Sequence, residues 1–128
     1  MAQSAGLHEP EDRLTPATID RHRALTSIQE ELEAVDWYAQ RVDATTDADL
    51  AAVLAHNRDE EKEHAAMTIE WLRRHDPALD RHLRTYLFTS GSIVGIETAA
   101  EATDGEASEP TGPASGSLGI GSLKGAAR

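Results

Sequence analysis

Two short runs hold most of the residues able to do chemistry. One is Arg58-Asp59-Glu60-Glu61-Lys62-Glu63-His64, in which Glu61 and His64 form a Glu-x-x-His pair. The other is Glu30-Glu31-Leu32-Glu33, followed within two turns by Trp37 and Tyr38. On a helix, a spacing of three projects both side chains from one face, so Glu61 and His64 can share one metal ion. The chain has no cysteine. That excludes disulfides, thiolate zinc sites and iron–sulfur clusters, and any metal must be held by Glu, Asp and His. Carboxylate oxygens are hard donors that stabilise ferric iron, and imidazole is acceptable to ferrous iron. The combination points to iron. Alone, a Glu-x-x-His pair on a charged helix is ordinarily a solvated surface, and so is Glu-Glu-Leu-Glu. The case rests on the two runs being brought together.

The elements that must do this are legible. Thr15-Pro16 starts a helix, with Thr as cap and Pro at the first helical position. Leu25, Ile28, Leu32, Val35, Ala39 and Val42 then recur at alternating steps of three and four, an apolar stripe on one long helix. Thr45-Thr46-Asp47 breaks it. Thr46 can cap a second helix, and Asp47 and Asp49 suit the positive end of its dipole. The second helix ends near Arg73-Arg74-His75, where cations are favoured, and Asp76-Pro77 stops it and begins a third, shorter one. This third helix carries Leu79, Leu83, Tyr86 and Leu87 and fades near Gly91. Segment 92–100 is ambiguous and reads at most as a frayed helical turn. The fold class is therefore all-α: an antiparallel two-helix hairpin plus a short third helix. Long helices of ~28 residues would each run ~40 Å. A lone hairpin of that length leaves one face of each helix uncovered, which predicts a partner.

The second helix shows where that partner matters. Its stripe reads Leu50, Leu54, Asn57, Glu61, His64, Thr68, Trp71. The ends are apolar and the middle is not, and polar groups on a stripe meant for burial are costly unless something satisfies them. Counted from a turn at residues 44–46, Glu31 lies nearly as far back along the first helix as Glu61 and His64 lie forward along the second. Glu31 can therefore reach the same centre. Di-iron bundles of the ferritin-like type use one Glu from each of two helices and one Glu-x-x-His from each of the other two. This chain supplies half of that set. The prediction is a two-fold dimer, a ferritin-like four-helix bundle with an Fe(II)/Fe(III) di-iron centre at its interface. Tyr38 is placed to hydrogen-bond a ligand carboxylate or to act as a redox neighbour.

Other readings are plainer. His56 and Glu60 read as a surface pair, and His8, His22, His75 and His82 as exposed or end-of-helix residues. Met67, Trp71 and Leu72 read as interface core rather than a cofactor box. The formal net charge is −11, with 27% of residues charged. Such a surface repels nucleic acid and anionic membranes and attracts cations. No apolar run approaches the ~20 residues that span a bilayer, and residues 1–11 lack the apolar core of a secretory signal, so a cytoplasmic location is expected. Residues 1–14 read as a mobile tail, 15–96 as the helical domain, and 97–115 as an acidic disordered linker with too little apolar surface to fold. Apolar residues then return in Ser117-Leu118-Gly119-Ile120-Gly121-Ser122-Leu123-Lys124.

Three runs resemble the encapsulated ferritin family closely: Arg21-His22-Arg23, Glu30-Glu31-Leu32-Glu33-Ala34-Val35-Asp36-Trp37-Tyr38, and Ala55-His56-Asn57-Arg58-Asp59-Glu60-Glu61-Lys62-Glu63-His64, continued through Arg74. The resemblance implies a ferroxidase, oxidising Fe(II) with dioxygen on Glu31, Glu61 and His64 of each chain. It implies that Glu30 and Glu33 form a secondary site through which metal enters, with Trp37 beside the centre. It also implies an annular homodecamer built from dimers, an open ring that delivers iron for storage inside an encapsulin shell. Residues 116–128 resemble the cargo-loading peptide of proteins packed into such nanocompartments, with Leu118, Ile120 and Leu123 as the contacts to the shell protein. The alternative is a non-catalytic iron-binding carrier tethered to a compartment.

Overall fold

A computed structural model describes residues 6–107 of the chain, and every regular element among them is helical. The first long helix, α1, spans Pro16–Ala44, and the second, α2, spans Ala48–His75. The Thr15 side chain accepts from the Thr18 amide at 3.1 Å, and Pro16 sits in the first turn. At the hairpin turn the cap of α2 is Asp47, not Thr46: the Asp47 carboxylate accepts from the Leu50 amide at 3.0 Å. The Thr45 hydroxyl accepts from the Asp47 amide at 3.2 Å, so a threonine shapes the turn and leaves the cap to the stronger acceptor. Arg73, Arg74 and His75 occupy the last turn of α2. There Arg73 and Arg74 both hold Glu70, whose carboxyl is lowered to about 2 by their hydrogen bonds. Asp76 is extended, as the residue before a proline should be, and Pro77 opens α3, Pro77–Tyr86.

α1 and α2 pack along each other, and the chain divides after Asp76 into two compact units. Within the hairpin the least accessible positions of α1 include Ala24, Ile28, Glu31, Val35 and Val42. Those of α2 include Ala51, Leu54, Glu61, Ala65 and Leu72. Each set advances in steps of three, four or seven, which keeps it on one seam. Only Ala24, Ala65 and Leu72 are buried among the described residues. A second apolar row stays in the open beside that seam. It is formed by Leu25 and Leu32 on α1 and by Leu50, Val53, Met67 and Trp71 on α2, with Leu32 52% and Met67 65% exposed. The stripe expected for α1 thus splits. Ile28, Val35 and Val42 turn inward, while Leu25 and Leu32 remain at the surface. For α2 the expected stripe lies between its two rows.

Of residues 1–14, expected to be a tail, Gly6, Leu7 and Leu14 line a shallow pocket with Thr18, His22 and Leu25 of α1. Glu11–Arg13 make a single 3-10 turn, and Leu14 is half-buried. In the second unit α3 ends at Tyr86, earlier than Gly91, with Phe88 and Gly91 at φ 61° and 87° reversing the chain. A fourth helix, α4, then spans Ile93–Ala107. It replaces the frayed turn and the first part of the linker. Ser92 starts it by accepting from the Gly95 amide at 3.0 Å, and an alanine-rich sequence without proline favours helix where composition suggested disorder. Residues 108–128, which include the rest of the expected linker and the segment 116–128 that resembles a cargo-loading peptide, lie outside the described residues.

Candidate metal centre

Glu31 comes from the middle of α1, and Glu61 and His64 from the middle of α2. The hairpin turn sets their level, and the inner seam brings the two carboxylates face to face. Nδ1 of His64 lies 3.7 Å from Oε2 of Glu31 and 3.8 Å from Oε1 of Glu61. Both separations are too long for hydrogen bonds. One ligand atom from each residue lies within 4.8 Å of the other two, and these three form the group suited to a metal ion among the described residues. Donors about 2.1 Å from a first-row divalent ion stand roughly 3–3.5 Å apart, so small side-chain movements close the cluster on a cation.

The electrostatics favour the same use. Both carboxylates are three-quarters buried, whereas His64 is half-exposed on the open row. Oε2 of Glu31 is buried and has no hydrogen-bond partner. An acceptor withdrawn from water without a donor is costly, and a cation removes that cost. The Glu31 carboxyl is pushed above its ordinary range, chiefly by a hydrogen bond with Glu61. Burial and the Glu61 charge act in the same direction, and His64 opposes them. Two carboxyls in this position hold a proton more readily than either would alone, and a bound cation takes that proton's place.

The sequence matches the EncFtn-like family over residues 6–90. The chain belongs to that family. Its EncFtn-like relatives include the encapsulated ferritin-like protein of Rhodospirillum rubrum, 62% identical over 99% of this chain and 94% of its own length. The encapsulin nanocompartment cargo protein EncC of Myxococcus xanthus is 38% identical, over 66% of this chain and 67% of its own. Among solved structures, protein ne0167 from Nitrosomonas europaea aligns with a TM-score of 0.67 and 60% identity, covering 69% of this chain and 97% of its own. The match over residues 6–90 takes in both runs that hold Glu31, Glu61 and His64.

The remaining sequence-predicted residues lie away from the cluster. Tyr38 shares the face of Glu31 but is two turns on, about 10 Å along the axis. Its ring packs under the Arg41 guanidinium, 5.6 Å from the centroid. Glu30, Glu33 and Trp37 share a different, exposed face of α1, turned by about 100° or more from Glu31. Within one chain none of them reaches Glu31, Glu61 or His64. His56 and Glu60 make the expected surface pair, at 3.2 Å. What the spacing could not give is the division of α2 into two rows, which sets Glu61 on the buried seam and His64 on the open one. The signal was present in Ala51 and Ala65, small residues that permit close helix approach.

Proposed function

We propose that this protein is a ferroxidase whose di-iron centre is completed by a second copy. The observation carrying this reading is the cluster of Glu31, Glu61 and His64 with its orphaned Glu31 oxygen. One chain provides two carboxylates and one imidazole, and a two-fold related copy doubles them to the ligand count of a ferritin-like di-iron site. The open row beside His64 supports the same axis. Leu25, Leu32, Leu50, Val53, Met67 and Trp71 flank the cluster, and covering them would close it from water.

Glu31, Glu61 and His64 of the two copies would hold the iron between them. Two ferrous ions held there would supply one electron each to dioxygen, which the two electrons reduce to the peroxide level while both ions become ferric. Glu30 and Glu33, on the exposed face of α1, collect the incoming cation, with Trp37 beside them. Tyr38 serves the centre from two turns away as a hydrogen-bonding or redox neighbour. The dimer belongs to an annular decamer. The unit after Asp76 exposes Leu87, Phe88, Ile93 and Val94, apolar surface of the kind further contacts require. The product is delivered for storage inside an encapsulin shell, to which residues 116–128 bind through Leu118, Ile120 and Leu123. The names of the Rhodospirillum rubrum and Myxococcus xanthus relatives support that destination. The likeness to the former runs over 99% of the chain and so includes this segment.

The test is oxygen consumption on adding ferrous iron to the purified dimer, beside Glu31→Ala, Glu61→Ala and His64→Ala. Each variant removes a ligand twice, through the two-fold axis, and should lose most of the activity while keeping its helicity. Wild-type turnover in Glu61→Ala sinks the ligand assignment. Stoichiometric iron binding without oxygen consumption would make the protein a carrier.

A further inference from the structure

One polar residue on the open row has no role in the scheme above. Asn57 lies in the middle of α2, four residues before Glu61 and seven before His64. These spacings put all three on one side of the helix. Its flanking neighbours on that row, Leu50, Val53, Met67 and Trp71, are apolar and exposed. Asn57 itself is half-buried. Its carboxamide makes none of the hydrogen bonds that occupy the neighbouring polar side chains of α2, such as Arg58 to Asp59 and Thr68 to the His64 carbonyl. A primary amide is a poor helix former and a poor member of an apolar interface. Once the row is covered, both its donors and its acceptor lose water and need a partner.

The partner is one turn away on the same helix. Side chains of an α-helix lean toward its N-terminus, so the Glu61 side chain leans over Asn57. A carboxamide and a carboxylate at this spacing form a hydrogen bond on a helix surface. In the single chain the Glu61 carboxyl lies within 4.8 Å of the Glu31 and His64 ligand atoms, and the half-buried Asn57 amide makes no hydrogen bond to it. We propose that Asn57 is the positioning residue of the iron centre, its carboxamide N–H donating to the Glu61 carboxylate when the second copy covers the row. This rests on the metal-site reading of Glu31, Glu61 and His64. A ligating carboxylate is itself held by a hydrogen bond at most metal sites, and loss of such a partner typically costs 10–100-fold in metal affinity. The Asn57 N–H then fixes which oxygen of Glu61 faces the metal, while the oxygen that accepts it is withdrawn from other partners.

The experiment uses the full chain, with cobalt(II) as a non-oxidising probe titrated anaerobically into wild type, Asn57→Leu and Asn57→Gln. Binding is followed by calorimetry and by the visible ligand-field spectrum. Sedimentation of the same samples reports the dimer. Asn57→Leu removes the donor but suits the apolar row. It should dimerise at least as well as wild type, bind cobalt about 10–100-fold more weakly and show a shifted band. Asn57→Gln keeps the N–H and should restore the wild-type spectrum. Unchanged affinity and spectrum in Asn57→Leu overturn the proposal, and so does a loss of affinity that merely tracks loss of the dimer. If wild type itself binds no cobalt, the metal-site reading fails and the role of Asn57 is overturned with it.

Discussion

In the proposed dimer the open row beside the cluster supplies the association energy, and its loss can be sized. Leu32 and Met67 are 52% and 65% exposed in the single chain, so half or more of each side chain remains to be covered. Full burial of such a side chain is worth ~1.5–3 kcal/mol. The uncovered half of each is then worth about 0.8–1.5 kcal/mol, and two positions in two copies together give roughly 3–6 kcal/mol. The double variant Leu32→Ala with Met67→Ala should weaken dimerisation about 100- to 10,000-fold, since each 1.4 kcal/mol is a factor of about ten. Alanine is the best helix former, and neither residue lies on the α1–α2 seam, so the hairpin should persist. Sedimentation equilibrium over a wide concentration range measures the shift, and circular dichroism checks helicity. Ferrous oxidation per chain should fall with the dimer fraction and return at high protein concentration. A variant that sediments as wild type would refute the placement of the partner on this row. One that is monomeric yet fully active per chain would refute the half-site itself.

Three further outcomes follow from the same structure. The Glu31 carboxyl is raised above its ordinary value of 4.5, so the metal-free fold binds a proton that the unfolded chain has released. Its stability should therefore be fully present below pH 4.5 and decline as pH rises through the folded value; thermal unfolding in chelator should show this slope, and Glu31→Gln should flatten it. Glu30→Ala and Glu33→Ala leave the three ligands in place and should slow iron uptake while crystals soaked in iron still show the metal centre by anomalous diffraction; an empty centre would make them primary ligands. Deleting residues 116–128 should abolish packaging into a co-expressed encapsulin shell and leave iron oxidation intact, whereas undiminished loading would place the address in the helical part.

Most of the hairpin was legible because its signals are local. Thr15-Pro16, the Thr45-Thr46-Asp47 break and Asp76-Pro77 act within one or two turns, and they set both long helices. The level of Glu31 with Glu61 and His64 followed from counting along those helices. Two things were not legible. The cap at Asp47 depended on a competition between three adjacent acceptors, which only the turn geometry decides. α4 was hidden because Ala, Glu, Thr and Gly in Ile96–Ala107 are as common in linkers as in surface helices, and only Ser92 hinted at a start. The side of α1 that turns inward was also out of reach. A stripe of Leu25, Ile28, Leu32 and Val35 covers more than one face, and sequence alone does not say which part meets α2 and which awaits another chain.

That division gives the proposed metal centre a physical reason to sit at this place in a hairpin so thinly packed. A seam built on Ala24, Ala51 and Ala65 brings the helices close but buries little, so the hairpin gains modest stability from its own packing. Setting Glu31 and Glu61 on that seam costs more, because two carboxyls face one another and one oxygen has no donor. A larger core could have tolerated this silently. Here the uncovered apolar row and the unsatisfied Glu31 oxygen lie side by side, and in the proposed assembly a second copy with bound cations would relieve both. On that proposal assembly and metal binding are coupled: each would stabilise the state the other needs, by mass action. Iron should then tighten the dimer, and dilution should release iron. A dimer constant unmoved by metal would separate the two and leave the acidic cluster without its structural reason.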